Sequence, residues 1–89
     1  MIQQPITIIN KLGLHARAAS KLVNLASQHS SSVFLNNKGT QVNAKSIMGV
    51  MMLAASKGTE MLIEVDGEDE QDCMKALVLL INNRFDEAE

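Results

Sequence analysis

The 89-residue sequence contains one cysteine, one proline, two phenylalanines and neither tryptophan nor tyrosine. Because Cys73 has no second cysteine to pair with, an internal disulfide and a cysteine-based metal cluster are both excluded. A single free cysteine fits a reducing cytoplasm. Few aromatic side chains are present on which nucleic-acid bases could stack, and the net charge of −2 gives no attraction for a polyanion. We therefore expect no nucleic-acid partner.

Long apolar runs are also missing. No stretch approaches the roughly 20 apolar residues that a membrane-spanning helix needs. Residues 1–5 lack the basic region and apolar core of a signal peptide. We expect a cytoplasmic protein with no membrane insertion. The hydrophobic content of 46% is typical of a globular chain, and the length predicts a single domain over residues 1–89.

Hydrophobic spacing predicts the element order strand, helix, strand, strand, helix, strand, helix. A β-branched run indicates a strand at residues 5–9, and apolar residues at helical spacing indicate a helix at 16–28. Asn and Gly at 36–39 predict a hairpin turn. The other predicted elements are strands at 33–35, 40–44 and 61–65 and helices at 47–53 and 68–83. Residues 85–89 are expected to fray. This order favours an α+β protein whose antiparallel sheet is covered by helices on one face.

Residues 13–20 place a histidine between a loop and the start of the first predicted helix. Free backbone N–H groups and the helix dipole favour a phosphate at such a junction, and Arg17 adds a planar cation. An imidazole nitrogen can attack a phosphoryl group and later release it, because the P–N bond is labile. His15 is therefore a candidate nucleophile. The alternative is a capping or surface histidine without chemistry, and local physics leaves both interpretations open.

A second feature begins at Ser46, a strong N-cap for the short second helix. Two helical turns cannot bury every apolar side chain that follows. Ile47, Met48 and Met51 are thus candidates for an exposed, adaptable patch that binds partners. The alternative is that the methionines fill gaps in the core and that Ser46 only caps the helix.

No metal ion or cofactor is predicted. His15 and His29 lie near opposite ends of a predicted helix about 20 Å long, which argues against a shared metal. The acidic residues at 68–72 lack the alternating spacing of a calcium loop, and they suit the start of a helix. Cys73 lies on the apolar side of the last helix and is expected to be an inert core residue.

Residues 10–17 (NKLGLHAR) and 45–51 (KSIMGVM) resemble the HPr family. These are the histidine phosphocarrier proteins of the bacterial phosphoenolpyruvate-dependent phosphotransferase system. The resemblance extends over nearly the whole chain in length and element order. It implies an open-faced β-sandwich with a four-stranded antiparallel sheet and three helices on one face, in the order βαββαβα. It also implies a phosphocarrier rather than an enzyme, and a monomer is the simplest expectation.

The resemblance also implies roles for single residues. His15 would accept a phosphoryl group on its Nδ1 atom from Enzyme I and pass it to an EIIA domain, while Arg17 neutralises the phosphate. Ser46 matches the serine that a dedicated HPr kinase/phosphorylase modifies in some bacteria. Ile47, Met48 and Met51 match the apolar docking surface.

Ala18 departs from the family pattern, which usually has proline after the arginine. Alanine keeps the helix and adds one free amide, so we expect preserved phosphotransfer with a slightly more mobile active loop. Residues 83–87 (NRFDE) resemble the nitrogen-related branch of the family. The alternative function is therefore a mainly regulatory interaction module that is not coupled to sugar transport.

Overall fold

The computed structural model describes residues 1–88, and over these residues it contains four strands and three α-helices. After the last helix, Arg84–Asp86 form a 3-10 turn that we call the terminal turn. The predicted element order is confirmed. Within residues 1–88, none of the helices combines the length and apolar composition needed to cross a membrane. The elements are β1 (Ile2–Thr7), α1 (Ala16–Ser27), β2 (Ser32–Asn37), β3 (Thr40–Asn43), α2 (Ile47–Met52), β4 (Glu60–Asp66) and α3 (Glu70–Asn82).

The four strands form one antiparallel sheet in the order β1-β4-β2-β3. The predicted hairpin joins β2 and β3 through Lys38 and Gly39, whose φ angles are 52° and 88°. Two central residues with positive φ are what a tight hairpin turn requires. Pro5 lies in β1, which is an edge strand, where its missing N–H is tolerated.

The core lies between the sheet and the helices. Alternate residues of β4 point inward, and Met61, Ile63 and Val65 are buried. The predicted apolar stripe of α1 is also buried, and full burial of a side chain such as Leu22 contributes about 1.5–3 kcal/mol. The helix α1 packs on α2 and α3, while α3 packs on β1 and β4. The open-faced β-sandwich with helices on one face is thereby confirmed.

Several predicted boundaries differ from the observed ones. The first strand begins at Ile2 rather than at residue 5, because its polar start pairs with β4 and the Gln3 side chain donates to Glu64 at 3.2 Å. Ile6 and Ile8 are both buried, as expected. The last helix begins at Glu70 rather than at residue 68. The carboxylate of Asp69, the residue before it, accepts from the N–H groups of Ser30 and Ser31 in the loop that follows α1.

The prediction that residues 85–89 fray is wrong for Phe85–Glu87, and Glu89 lies outside the described residues. Phe85 is fully buried in the core. The terminal turn brings it there with φ angles of 56°, 53° and 63° at Arg84, Phe85 and Asp86. This left-handed conformation costs roughly 1–2 kcal/mol per residue. Burial of the ring and a 2.8 Å hydrogen bond from Lys21 Nζ to the Phe85 carbonyl hold the turn in place.

Candidate functional site

The loop before α1 is fixed by Asn10 and Gly13. The buried Asn10 amide donates to the Gly13 carbonyl at 2.8 Å, and the Gly13 N–H donates to the Asn10 carbonyl at 3.2 Å. Gly13 has a φ of 67°, and a Cβ there would collide with the Ala55 carbonyl oxygen, so only glycine fits. The Leu14 N–H donates to that same oxygen at 2.8 Å. These contacts position His15 at the start of α1.

His15 is the N-cap residue of α1, as predicted. Its backbone is extended, and its side chain makes no capping hydrogen bond. The first bond of the helix runs from the Ala19 N–H to the His15 carbonyl at 2.8 Å. The N–H groups of Ala16, Arg17 and Ala18 precede that bond and point out of the helix end. Ala18, where the family pattern usually has proline, thus contributes a third N–H without a helical partner.

An open cleft of about 850 Å³ lies beside the imidazole. Arg17 is exposed and lines this cleft, so the structure brings the predicted cation and the predicted nucleophile together. The cleft also holds charges that sequence analysis did not connect with the site. Its charged lining residues are the cations Lys11, Arg17 and Lys21 and the carboxylates Asp86 and Glu87.

The Glu87 carboxylate joins His15 to the loop. Its Oε2 atom lies 2.5 Å from His15 Nε2, and its Oε1 atom accepts from Asn10 Nδ2 at 3.0 Å. Burial alone would raise the pKa of the Glu87 carboxyl. Hydrogen bonds from Asn10 and His15, together with the charges of His15 and Lys21, lower that pKa below its usual value. The carboxylate therefore stays ionised beside the ring.

Four residues that shape this site were not predicted from the sequence: Asn10, Lys21, Phe85 and Glu87. Phe85 did carry a signal, since it is one of only two aromatic residues and a short chain has reason to bury both. Asn10 lies within the motif at residues 10–17, but it was assigned only to a loop and given no role in the site. Glu87 gave no local signal, because 72 positions separate it from His15.

Ser46 is exposed at the N-cap of α2, as predicted. Its hydroxyl accepts from the Gly49 N–H at 3.2 Å. The segment before it is anchored, because Lys45 Nζ donates to the His29 carbonyl at 2.8 Å and the Lys45 N–H donates to the Asn43 side chain at 2.9 Å.

The predicted apolar patch on α2 is exposed. Ile47, Met48 and Met51 have exposed fractions of 42%, 77% and 43%, so these methionines do not fill the core. Met52 and Leu12, which sequence analysis left out of the patch, are exposed by 78% and 67%. We call the four exposed residues of α2, Ile47, Met48, Met51 and Met52, the apolar patch. Since α1 packs on α2, the structure places this group on the element next to His15 and Arg17.

Other titratable clusters are structural. Among residues 1–88, no group of three or more His, Cys, Asp or Glu side chains is arranged to hold a metal ion. Burial, followed by the charge of Asp69, raises the pKa of the Cys73 thiol. Asp69 accepts from the Ser31 hydroxyl and from the N–H groups of Ser30 and Ser31, and these bonds lower its pKa to about 2.

An antiparallel sheet with helices on one face and an imidazole at the start of its first helix defines a class, the small histidine phosphocarriers. The chain belongs to the HPr family of this class: the family profile described as "PTS HPr component phosphorylation site" matches residues 2–83. It is thus a phosphocarrier protein of the phosphotransferase system and not an enzyme.

Similar proteins support this assignment. The chain is 58% identical to "Phosphocarrier protein HPr" of Cupriavidus necator over 89 residues, which cover all of both chains. The solved structure of HPr-C-His from Thermoanaerobacter tengcongensis matches it with a TM-score of 0.96 and 44% identity over all of both chains. A structure described as an HPr dimer from the same organism matches with a TM-score of 0.79 and 45% identity, covering 98% of this chain and 100% of the other.

Proposed function

We propose that His15 accepts a phosphoryl group on Nδ1 from phosphorylated Enzyme I and passes it to an EIIA domain. The supporting observation is a partly exposed imidazole at the N-cap of α1, next to three amides that have no helical partner. The Nδ1 lone pair forms a bond to phosphorus while the donor's bond to phosphorus breaks. Transfer to the acceptor breaks the new P–N bond in the same way.

Arg17 neutralises the phosphoryl group in this proposal. It lies in the first turn of α1 and lines the cleft beside His15. Its guanidinium group is planar, always charged and able to donate to two phosphate oxygens at once. The amides of Ala16, Arg17 and Ala18 and the positive end of the helix dipole supply the remaining stabilisation.

The apolar patch docks donor and acceptor in turn. Ile47, Met48 and Met51 form its predicted centre, and Met52 of the same helix enlarges it. Flexible methionine side chains can repack against differently shaped partners, which suits a carrier that must bind Enzyme I and EIIA domains through one surface.

Ser46 is the proposed control site, modified by an HPr kinase/phosphorylase in bacteria that have one. A phosphate there adds a charge of about −1.5 to −2 at the start of α2. The helix end tolerates or weakly favours that charge, by about 0.3–1 kcal/mol. Beside the apolar patch it opposes docking of apolar and acidic partner groups. Phosphorylation would therefore change docking with little effect on the fold.

We further propose that the chain acts as one domain, as a monomer and in the cytoplasm. The buried hydrophobic residues form a single core, which supports one domain. The free, buried thiol of Cys73 is consistent with a reducing compartment. Light scattering of the purified protein tests the monomer, and a mass of two chains would contradict it.

Incubation with phosphoenolpyruvate and Enzyme I tests the main proposal. We expect an acid-labile, base-stable phosphate that disappears in His15→Ala and persists in His29→Ala, the control for the second histidine. Unlabelled wild type, or label that survives in His15→Ala, would contradict the proposal. Chasing the label onto sugar-type and nitrogen-type EIIA domains separates the sugar-transport role from the nitrogen-related regulatory alternative.

A further inference from the structure

Glu87 contacts Nε2 of His15, the ring nitrogen that the proposed function leaves free of phosphorus. We propose that Glu87 is a positioning residue: its carboxylate holds the imidazole proton on Nε2 and so keeps the Nδ1 lone pair available for phosphoryl transfer. The inference rests on the proposed function, because it concerns the same ring.

The hydrogen-bonding chemistry of the imidazole and the carboxylate determines which ring nitrogen holds the proton. A neutral imidazole has one N–H and one lone pair, and a hydrogen bond at one nitrogen decides which nitrogen holds the proton. An ionised carboxylate can only accept hydrogen bonds. At 2.5 Å from Oε2, Nε2 must therefore carry the proton, since two lone pairs at that distance would repel. The remaining lone pair is then on Nδ1.

The carboxylate is itself held in place. Its second oxygen accepts from the buried Asn10 amide at 3.0 Å, and its side chain is only 15% exposed. The terminal turn fixes the backbone before it, because Phe85 is buried and its carbonyl is bound by Lys21. A carboxylate that is anchored at both ends presents one geometry to the ring, which a freely rotating surface side chain would not do.

The same contact favours the phosphorylated ring. When Nδ1 bonds to phosphorus and the donor bond breaks, the ring keeps its Nε2 proton and becomes a phosphoimidazolium cation. No proton has to move. The Glu87 carboxylate then faces a positive ring, and its hydrogen bond becomes charge-assisted from both sides. On transfer to the acceptor, the electron pair returns to Nδ1 and the ring is neutral again.

Among the carboxylates that line the cleft, Glu87 contacts the imidazole, whereas Asp86 has other partners. Asp86, the adjacent carboxylate, accepts from the Asn83 amide at 2.7 Å and lies 4.0 Å from Lys21. Lys21 also binds the Phe85 carbonyl. Asp86→Asn therefore removes the same charge one position earlier in the chain without touching the imidazole, and it is the control for the tautomer measurement on Glu87→Gln.

The test is ¹⁵N NMR of the His15 ring in the neutral state, combined with the rate of phosphorylation by Enzyme I. We expect wild type and Asp86→Asn to carry the proton on Nε2. Glu87→Gln, whose amide can donate as well as accept, should populate the Nδ1–H form. It should also lower the phosphorylation rate about tenfold, the scale of one charge-assisted hydrogen bond. Glu60→Gln, at an exposed carboxylate of β4 that does not line the cleft, should stay within about twofold of the wild-type rate.

Two results would overturn the proposal. One is a wild-type His15 ring that carries its proton on Nδ1. This measurement is made on wild type and does not depend on the folding of a variant. The other is a Glu87→Gln protein that keeps the wild-type tautomer and rate. Neither result bears on whether wild type is phosphorylated on His15, so the proposed function would survive both. If wild type is not phosphorylated on His15 at all, the proposed function fails, whereas the tautomer measurement remains valid.

Discussion

Glu87 Oε2 lies 2.5 Å from His15 Nε2, although 72 positions separate the two residues in the sequence. The loop before α1 and the tail, residues 84–88, thus form one candidate site. Asn10 strengthens this connection, because its amide binds the Gly13 carbonyl of the loop and the Glu87 carboxylate of the tail. A change in the tail should therefore affect chemistry at the start of α1.

Replacing Phe85 with alanine should release the tail. Phe85 is fully buried, and loss of a buried phenylalanine destabilises a protein by about 3–5 kcal/mol. Without this anchor, the left-handed terminal turn loses its main support. Urea unfolding measures the stability, and Phe34→Ala is the control because Phe34 is only half-buried. A loss below about 1 kcal/mol for Phe85→Ala would show that the ring does not anchor the tail.

Ser46→Asp should weaken transfer from Enzyme I without unfolding the protein. The added carboxylate lies at the start of α2, where the dipole tolerates it, but it also borders the apolar patch. We expect about a tenfold lower rate, which corresponds to a loss of about 1.4 kcal/mol of docking free energy. Ser32→Asp, at an exposed serine in β2, controls for added charge. Unchanged transfer in Ser46→Asp would rule out the inhibitory role.

Met48→Ala should raise KM for Enzyme I with little change in kcat, because the side chain contributes to docking and not to the transfer step. The side chain is 77% exposed, so stability should change by less than about 0.5 kcal/mol. Leu79→Ala is the matched control: Leu79 is 70% exposed, but it lies on α3 outside the apolar patch. Steady-state kinetics separate the two variants. Equal KM values for both would argue against docking through the patch.

Ala18→Pro should preserve phosphotransfer. Proline is tolerated in the first turn of a helix, where its missing N–H has no helical partner. The change removes one of the three amides at the helix end, so we expect a rate within about tenfold of wild type. Because Ala18 is buried, unfolding should be measured on the same sample. A larger fall in rate at unchanged stability would mean that the Ala18 amide is essential.

The tail contact should weaken in acid. In the folded protein the pKa of Glu87 lies below its ordinary value of 4.5. Its ionised form therefore contributes fully to stability above pH 4.5, and this contribution is lost as the pH falls through the lowered pKa. Protonation would weaken the bonds from Asn10 and His15 and the attraction to Lys21. The NMR shift of the Asn10 side-chain amide should follow this titration and should not do so in Glu87→Gln. An inflection at or above pH 4.5 would contradict the lowered pKa.

Local signals were enough to predict the parts of the site that depend on neighbours in the sequence. His15 and Ser46 were recognised as N-caps because a cap residue and the helix after it are adjacent in the chain. Met48 was a candidate for exposure because a helix of two turns has room for few buried residues, although core packing was the alternative. The hairpin at Lys38 and Gly39 follows from the conformational freedom of glycine and its neighbours.

The tail could not be predicted in this way. Three successive non-glycine residues with positive φ run against local preference, and burial of Phe85 together with the hydrogen bond from Lys21 stabilises that conformation. The Glu87 contact depends on how the loop and tail meet in space, which no periodicity encodes. Asn10 was read as a loop residue because burial of a polar side chain becomes visible only once its partners are in place.

The most direct test of the account is the position of phosphorus on the ring. Enzyme I and phosphoenolpyruvate would be used to phosphorylate the ¹⁵N-histidine-labelled protein, and ¹⁵N–³¹P coupling would identify the bonded nitrogen. We predict one phosphoryl group, on Nδ1 of His15, with the proton retained on Nε2 beside Glu87. Phosphorus on Nε2, or on any residue other than His15, would contradict the account.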